Sequence, residues 1–331
     1  MYPRAQIQHG GREKGERVGV EKRRGEGKEK VEGMTERKGR KEGMVNSDGG
    51  ICATAPRGDR RHCTRSSTLS YATRSTTTRD DSIKMLIQIY NHISQPSLTR
   101  PRKLDKPQES DQSQIGQSKF VDQLLSGRRN GFFVECGAVD GEYLSNSLFF
   151  ELERNWTGLL IEANPNYHRA LLNKNRRAYV MNACLSPERR PMTALMQPAA
   201  ELGGISDKMH QSHLQYIGSI RRPEVSVNCF PLNSIMAAIN VSHVDYLSLD
   251  VEGPELEILR TVDWTRLHID VMTVEYRIYG GDALGVDQPA SLQKLKDLRQ
   301  LFRDTGVYRE VALLPSFSDD ASGLDVVFSR I

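Results

Sequence analysis

The chain has 331 residues and a formal net charge of +4, but this charge is unevenly distributed. Residues 1–130 carry 27 Lys and Arg against 16 Asp and Glu, whereas the remainder carries 19 against 26. A basic arm on an acidic body argues against a nucleic-acid-binding domain, which carries its positive charge on the folded part. No apolar run approaches the ~18 residues that span a bilayer, so the chain as written is predicted to be soluble.

Residues 1–109 are predicted to form a disordered arm. Residues 10–45 are mostly Gly, Glu, Lys and Arg, and residues 46–82 are rich in Ser, Thr and Arg. Such segments bury too little apolar surface to offset the entropy lost on ordering. The arm is either a solvated tail or a basic segment that contacts RNA or an anionic lipid surface.

Residues 110–331 are predicted to form one α/β domain. Strands alternate with helices and end in a strand pair, which is typical of an open α/β sheet. In chain order we predict an amphipathic helix in QSKFVDQLLSGRR, strand 132–136, helix 144–155, strand 158–162, helix 166–175, strand 178–185, a loop-rich insert or lid at 186–222, a strand-like segment 225–232, strand, acidic turn and helix within 245–259, strand 269–276, helix 288–305, and strands 307–314 and 324–330.

A turn with two glycines follows the first predicted strand, in the sequence Glu135-Cys-Gly137-Ala-Val-Asp140-Gly141. Glycines allow a tight turn and a close approach of the backbone to a ligand. Ligands of open α/β sheets bind beyond the carboxyl ends of the strands, where the strand order reverses. The sequence contains neither GxGxxG nor a P-loop motif. The turn is therefore either a plain strand–turn–helix corner or part of another kind of ligand site.

Glu162 ends the second predicted strand. A carboxylate at this position can accept hydrogen bonds from both ribose hydroxyls of an adenosine-type cofactor. The alternative is a solvated residue at the rim of the sheet. Because the glycine turn lies just upstream, we favour the cofactor-binding interpretation.

Asp250 and Glu252 follow the fourth core strand and are two residues apart, so they point the same way if the strand continues through them. They could bind a substrate hydroxyl, act as a general base or hold a divalent cation, although no metal site is assigned. The alternative is helix capping, because Glu255 and Glu257 also crowd this helix start, where the helix dipole favours negative charge. Glu275 is a further acid at the end of the next strand.

Cys184 and Cys229 both follow β-like stretches, and a disulfide between them is a hypothesis, since sequence does not give their separation. The cysteine spacing is not that of a zinc site, and Cys136 is predicted to be a small core residue. Two sequons, beginning at Asn155 and Asn240, would permit N-glycosylation, although such triplets also arise by chance.

Four segments together resemble the FkbM-type methyltransferase domain: VECGAVDGEYLSN, LLIEANP, DYLSLDVEGPELEIL and VMTVEY. The resemblance covers about residues 115–330, and DVEGPELEIL is its most specific part. It implies a Rossmann-like class I methyltransferase sheet with helices on both faces. It also implies an S-adenosylmethionine-dependent O-methyltransferase that acts on a hydroxyl of a small molecule or glycan.

The same resemblance implies roles for seven residues. Those near the transferring methyl group, with catalytic roles, are Asp250 and Glu252. Those that bind S-adenosylmethionine are Glu135, Gly137, Asp140, Gly141 and Glu162, with Glu162 on the ribose. The generic methyltransferase turn has a middle glycine where this chain has Val139.

Residues 118–165 also resemble the arthropod Star-like proteins. This resemblance implies a non-catalytic factor in secretory or endosomal trafficking, whose partner is a membrane-anchored precursor of an EGF-receptor ligand. It implies a location in the endoplasmic reticulum, Golgi or endosomes, in agreement with the sequons and the hypothetical disulfide. A cytoplasmic location is the alternative, because no transmembrane segment or signal peptide is visible in the sequence. No nucleic-acid partner is expected.

Overall fold

The computed structural model describes residues 83–281, 285–315 and 323–331, all of which belong to one compact unit. Most of the arm predicted for residues 1–109 lies outside the described residues. Residues 83–109, which were assigned to that arm, instead pack on the domain. Ile89 and Ile93 are buried in the core, and the Lys103 amide donates a hydrogen bond to the Lys174 carbonyl. The ordered part therefore begins before residue 110, because these few apolar side chains find a place in the core.

The main sheet has eight strands in the order β1-β4-β3-β2-β9-β10-β12-β11. Its strands are β1 (Ile93–Ser94), β2 (Phe132–Cys136), β3 (Thr157–Ile161), β4 (Tyr179–Met181), β9 (His243–Leu249), β10 (His268–Glu275), β11 (Tyr308–Pro315) and β12 (Gly323–Arg330). The central strands β4, β3, β2, β9 and β10 run parallel, whereas β1, β11 and β12 pair antiparallel at the edges. The strand order reverses between β2 and β9, which is where open α/β sheets bind ligands.

Helices cover both faces of the main sheet, as the sequence predicts. Besides a helical segment at residues 83–91, they include α1 (Gln117–Leu124), α2 (Leu148–Glu153), α3 (Pro165–Lys174), α4 (Gln211–Tyr216), α5 (Leu232–Ala238), α6 (Glu255–Thr261) and α7 (Gln288–Thr305). Successive strand residues face opposite sides, so Val134 packs with α5, α6 and α7 while Phe133 packs with α1, α2 and α3. None of the described helices has the length and apolar character needed to cross a bilayer.

A second, four-stranded sheet includes strands from the segment 186–222 and from both of its flanks. Its strands are β5 (Cys184–Leu185), β6 (Met192–Gln197), β7 (Gly204–Ile205) and β8 (Val225–Phe230), in the order β5-β8-β6-β7. The segment 186–222 is loop-rich as predicted, but it also contributes β6 and β7, whose strand character was not predicted. The predicted strand 178–185 divides between the two sheets. Cys184 and Cys229 face each other across β5 and β8 and form a disulfide.

Arg176 is a buried cation that joins α2 to the segment between β2 and α2. Its guanidinium donates to the Glu151 carboxylate at 2.8 Å, to the Ser147 hydroxyl at 3.1 Å and to the Gly141 carbonyl. Its side chain also lies over the Phe133 ring. Arg176 thereby holds the turn after β2 against the helical layer beneath it.

We expect Arg176→Met to lower the free energy of unfolding by about 3 kcal/mol or more, because it leaves the buried Glu151 carboxylate without its main partner. The matched control is Arg154→Met, which removes a partly exposed ion pair with Asp122 and should cost no more than about 1 kcal/mol. Urea unfolding followed by tryptophan fluorescence measures both changes. Equal losses for the two variants would contradict the role given to Arg176.

Candidate active site

A pocket opens beyond the carboxyl ends of β2, β3 and β9, where the strand order reverses. It contains about 960 Å³ of space between atoms, part of which is open solvent. Five of the seven residues singled out from the sequence line it: Glu135, Gly137, Glu162, Asp250 and Glu252. The second sheet supplies another wall, which includes Met196 and Ile205.

Gly137 lies where the turn after β2 touches the turn after β9. Its φ of +84° lies in the left-handed region, and a Cβ built on it would be 1.9 Å from the Asp250 carbonyl oxygen. The Gly137 amide donates to the Ile161 carbonyl at the end of β3. Glycine is required here for both conformation and space, so three strand ends can meet in one place.

Glu162 lies at the end of β3 and is buried against the same turn. One carboxylate oxygen accepts from the Val139 amide at 2.8 Å, and the other accepts from the Asn164 amide at 2.7 Å. Burial raises the pKa of Glu162 to about 7, although the two amide donors oppose the shift. Val139 adopts a φ of +48°, which is unusual for a β-branched residue and marks a strained turn.

Glu135 borders the pocket, but its carboxylate binds the chain that leads into α2. Its oxygens accept from the Asn146 amide at 2.6 Å and from the hydroxyls of Ser145 and Ser147. Burial raises the pKa of Glu135, while the positive charge of Arg176 opposes that shift.

Asp140 and Gly141 do not line the pocket. The Asp140 carboxylate accepts from the amides of Glu142 and Tyr143 and lies 3.3 Å from the Lys174 ammonium. A Cβ on Gly141, at a φ of +80°, would meet the Leu171 side chain. In this structure both residues therefore lie on the side of the turn that faces away from the pocket.

Asp250 and Glu252 both line the pocket, but the geometric reason expected from the sequence is wrong. Strand β9 ends at Leu249, and Glu252 has a left-handed φ of +62°. The two side chains therefore come together through a turn and not through strand alternation. Glu255 stabilises this turn, because its carboxylate accepts from the amides of Val251 and Gly253, which precede the helix; no described side chain caps the helix start by a hydrogen bond.

Behind this turn lies a cluster of buried acids with a buried ammonium. Oxygens of Asp250, Glu255 and Glu275 lie within 4.8 Å of one another, and the Lys294 ammonium is 2.6 Å from Glu255. Burial, with the neighbouring acids, raises the pKa of Asp250 to about 7. The same causes raise the pKa values of Glu252 and Glu275 well above the ordinary range. Buried acids outnumber the ammonium, so these carboxyls retain protons near neutral pH.

Two pocket residues were not identified as site residues from the sequence. Gln114 and Asn146 both line the pocket, and the side-chain oxygen of each is buried without a hydrogen-bond partner within the described part of the chain. The side-chain amide nitrogen of Asn146 donates to the Ser248 hydroxyl at 3.0 Å, which fixes the orientation of the Asn146 side chain. Nothing in the local sequence marks Gln114, because it lies ahead of α1 and reaches the site only through the fold.

The model of the FkbM methyltransferase domain matches residues 135–306. The chain belongs to this family. S-adenosylmethionine is accordingly the cofactor of the domain. The pocket fits it, because Gly137 leaves room for a close ligand and the free oxygens of Gln114 and Asn146 offer acceptors for an ammonium group.

Several solved structures are similar to the chain at low sequence identity. The FkbM methyltransferase from Methylobacillus flagellatus KT is 13% identical over 75% of this chain and 59% of that chain, with a TM-score of 0.40. The human methyltransferase 10 domain containing protein is 11% identical over 77% and 96%, with a TM-score of 0.33. Precorrin-6y C5,15-methyltransferase from Geobacter metallireducens GS-15 is 14% identical over 64% and 87%, with a TM-score of 0.31. No curated protein sequence matches the chain.

We expect Gly137→Ala to destabilise the fold far more than Gly116→Ala. Both glycines have nearly the same φ, +84° and +83°, but nothing lies within 4 Å of a Cβ on Gly116. Each substitution has a conformational cost of about 1–2 kcal/mol, and only Gly137→Ala must also displace the Asp250 carbonyl. Denaturant unfolding should show at least about 2 kcal/mol between the variants. Indistinguishable unfolding curves would contradict the contact between the two turns.

Proposed function

We propose that the domain is an S-adenosylmethionine-dependent O-methyltransferase that acts on a hydroxyl of a small molecule or glycan. The observation that carries the proposal is the pocket itself, in which Gly137, Glu162 and Asp250 meet at the strand-order reversal. When bound, S-adenosylmethionine supplies an electrophilic methyl group.

Three groups are suited to hold the cofactor. Glu162 keeps lone pairs for ribose hydroxyls after its two backbone hydrogen bonds are counted. Gln114 and Asn146 offer free side-chain oxygens to the ammonium of the methionine part. The close turns at Gly137 bring backbone within reach of the ligand.

Asp250 is the proposed general base. A carboxyl with a pKa of about 7 is partly ionised at neutral pH and can take the proton of an acceptor hydroxyl at Oδ. Glu252 lies on the wall shared with a neighbouring cavity that His213, Arg277 and Lys294 also line. We propose that this polar cavity admits the acceptor and orients its hydroxyl toward the methyl group.

Calorimetry with S-adenosylmethionine tests this function through Glu162. We expect Glu162→Gln to weaken binding by about 1–3 kcal/mol, the scale of a lost hydrogen-bond partner for buried groups. For the unmodified protein, affinity should rise between about pH 6 and pH 8, because the carboxylate forms as the pH passes its pKa of about 7. Glu162→Gln should remove that part of the pH dependence.

The stability of the unliganded protein should depend on pH in the opposite direction from the binding affinity. Because the pKa of Glu162 is raised by folding, its contribution to stability is full below about pH 4.5 and declines as the pH rises through 7. Glu162→Gln should flatten this decline while the fold persists. No detectable binding of S-adenosylmethionine by the intact protein would refute the enzymatic proposal.

A Star-like trafficking role without turnover is the second candidate, and the Cys184–Cys229 disulfide favours it. Disulfides persist in oxidising compartments such as the lumen of the endoplasmic reticulum. The two sequon asparagines, Asn155 and Asn240, are also exposed. In this role the partner is a membrane-anchored growth-factor precursor, and the domain works in the endoplasmic reticulum, Golgi or endosomes.

Expression in animal cells tests this second role. A luminal domain should lose mass on treatment with an N-glycosidase, and a double Asn155→Gln, Asn240→Gln variant should not. It should also co-precipitate with a membrane-anchored EGF-receptor ligand precursor. An unmodified chain whose Cys184 and Cys229 react with an alkylating reagent before reduction would contradict the luminal location.

A further inference from the structure

The side chains of opposite charge type are unevenly represented in the cofactor pocket, because every described Asp, Glu, Lys, Arg or His that lines it is an acid. Among the described residues that line it, five are carboxylic acids and none is Lys, Arg or His: the acids are Glu135, Glu162, Glu201, Asp250 and Glu252. Two buried cations outside the lining each form an ion pair with another acid, Arg176 with Glu151 and Lys294 with Glu255. A ligand in this pocket therefore meets five carboxyl groups and no basic side chain in the described lining, while Arg176 and Lys294, which do not line it, offset part of their charge.

The acids differ in how completely the protein satisfies them. Glu135 and Glu162 accept hydrogen bonds from nearby backbone and hydroxyl groups. One oxygen of Glu252 is buried and has no hydrogen-bond partner in the described part of the chain, although it lies 3.5 Å from His213 Nδ1. Glu201 is exposed at the rim of the pocket. The least satisfied of the pocket carboxyls thus lies in the turn that carries Asp250 and Glu252.

We propose that this pocket selects its cofactor by charge and binds the sulfonium S-adenosylmethionine more tightly than the neutral thioether S-adenosylhomocysteine. The proposal rests on the proposed function and extends it to specificity and product release. S-adenosylmethionine carries a sulfonium, an ammonium and a carboxylate, a net charge of one positive, whereas its demethylated product is neutral overall. An acidic pocket in a low-dielectric setting favours the cation.

The chemical step removes the charge that the pocket recognises. The bond from sulfur to the methyl carbon breaks, its electron pair stays on sulfur, and the acceptor oxygen forms the new bond to carbon. The acceptor proton passes to the Asp250 carboxylate and then to solvent. A neutral thioether then remains among the acids, so the product loses the electrostatic attraction that held the substrate.

Proton release gives a second measurable consequence. The charged groups that face Asp250 come from every element packed against it: Glu252 in its own turn, Glu255 on α6, Glu275 on β10, Asp325 on β12 and Lys294 on α7. With acids in excess, part of this group holds protons when the pocket is empty. A bound sulfonium should expel protons, whereas a bound thioether should expel fewer.

Calorimetry on the full chain with three probes tests the proposal. They are S-adenosylmethionine, S-adenosylhomocysteine and sinefungin, in which a carbon that bears an amine replaces the methylated sulfur. We expect the two cationic ligands to bind at least about tenfold more tightly than the thioether at low salt, a difference of about 1.4 kcal/mol. Titrations in buffers of different ionisation enthalpy should show more protons released by S-adenosylmethionine than by S-adenosylhomocysteine.

Two variants and a control locate the selectivity. Asp250→Asn should move the ratio of the affinities for S-adenosylmethionine and S-adenosylhomocysteine toward one. Glu201→Gln, at the exposed rim, should also lower this ratio without disturbing the buried turn. The control is Glu153→Gln, an exposed acid of α2 outside the pocket, which should keep the ratio unchanged. Thermal unfolding of each variant confirms that it is folded.

The outcomes separate the two levels of the proposal. Binding of all three probes with the thioether equal to or tighter than the sulfonium overturns charge selection and leaves the methyltransferase function standing. Equal proton release by both natural ligands overturns it as well. An absence of binding by every probe overturns both proposals.

Discussion

The turns after β2 and β9 touch, and the missing side chain of Gly137 makes this contact possible. Because the two strands are neighbours at the strand-order reversal, their carboxyl ends open into the same space as the end of β3. Carboxylates that are 27 residues or more apart in sequence, such as Glu135, Glu162 and Asp250, are thereby gathered around one pocket. The site follows from this single close approach more than from any one acid.

Burying these acids together destabilises the fold, and the surrounding structure offsets this loss of free energy only in part. Arg176 and the hydroxyls of Ser145 and Ser147 stabilise the region around Glu135, and Lys294 stabilises Glu255. Glu252 and Glu275 each keep a buried oxygen without a hydrogen-bond partner within the described residues. Unsatisfied buried acids destabilise a fold, and proteins retain such groups chiefly where a ligand or reaction needs them.

The sequence predicts the centre of this fold better than its periphery. FFVEC forms β2 with the predicted bounds, and β3 is displaced by one residue, because dense apolar runs between turn residues identify buried strands. Of the second sheet, only β8 was predicted as a separate strand-like segment, since β5 and β7 have two residues each and give no pattern of their own. Helix α2 is shorter than predicted because Leu144 adopts a left-handed conformation ahead of it.

Some residues of the candidate site could likewise be predicted from the sequence, and others could not. Gly137 and Glu162 could be found from strand ends, whereas Gln114 reaches the pocket only through tertiary packing. Asp140 lies close in sequence to Gly137, but its carboxylate binds the amides of Glu142 and Tyr143 and does not line the pocket, so its predicted role in cofactor binding stays a prediction.

The disulfide connects the two candidate functions to the same pocket. Cys184 lines the pocket and is bonded to Cys229 on the neighbouring strand of the second sheet, so the cross-link lies in the pocket wall. We expect an oxidising compartment to maintain this disulfide in the pocket wall for either candidate function. A luminal location and methyl transfer are therefore compatible, and the two candidates differ in turnover. What separates them is whether a bound cofactor meets an acceptor hydroxyl beside Asp250.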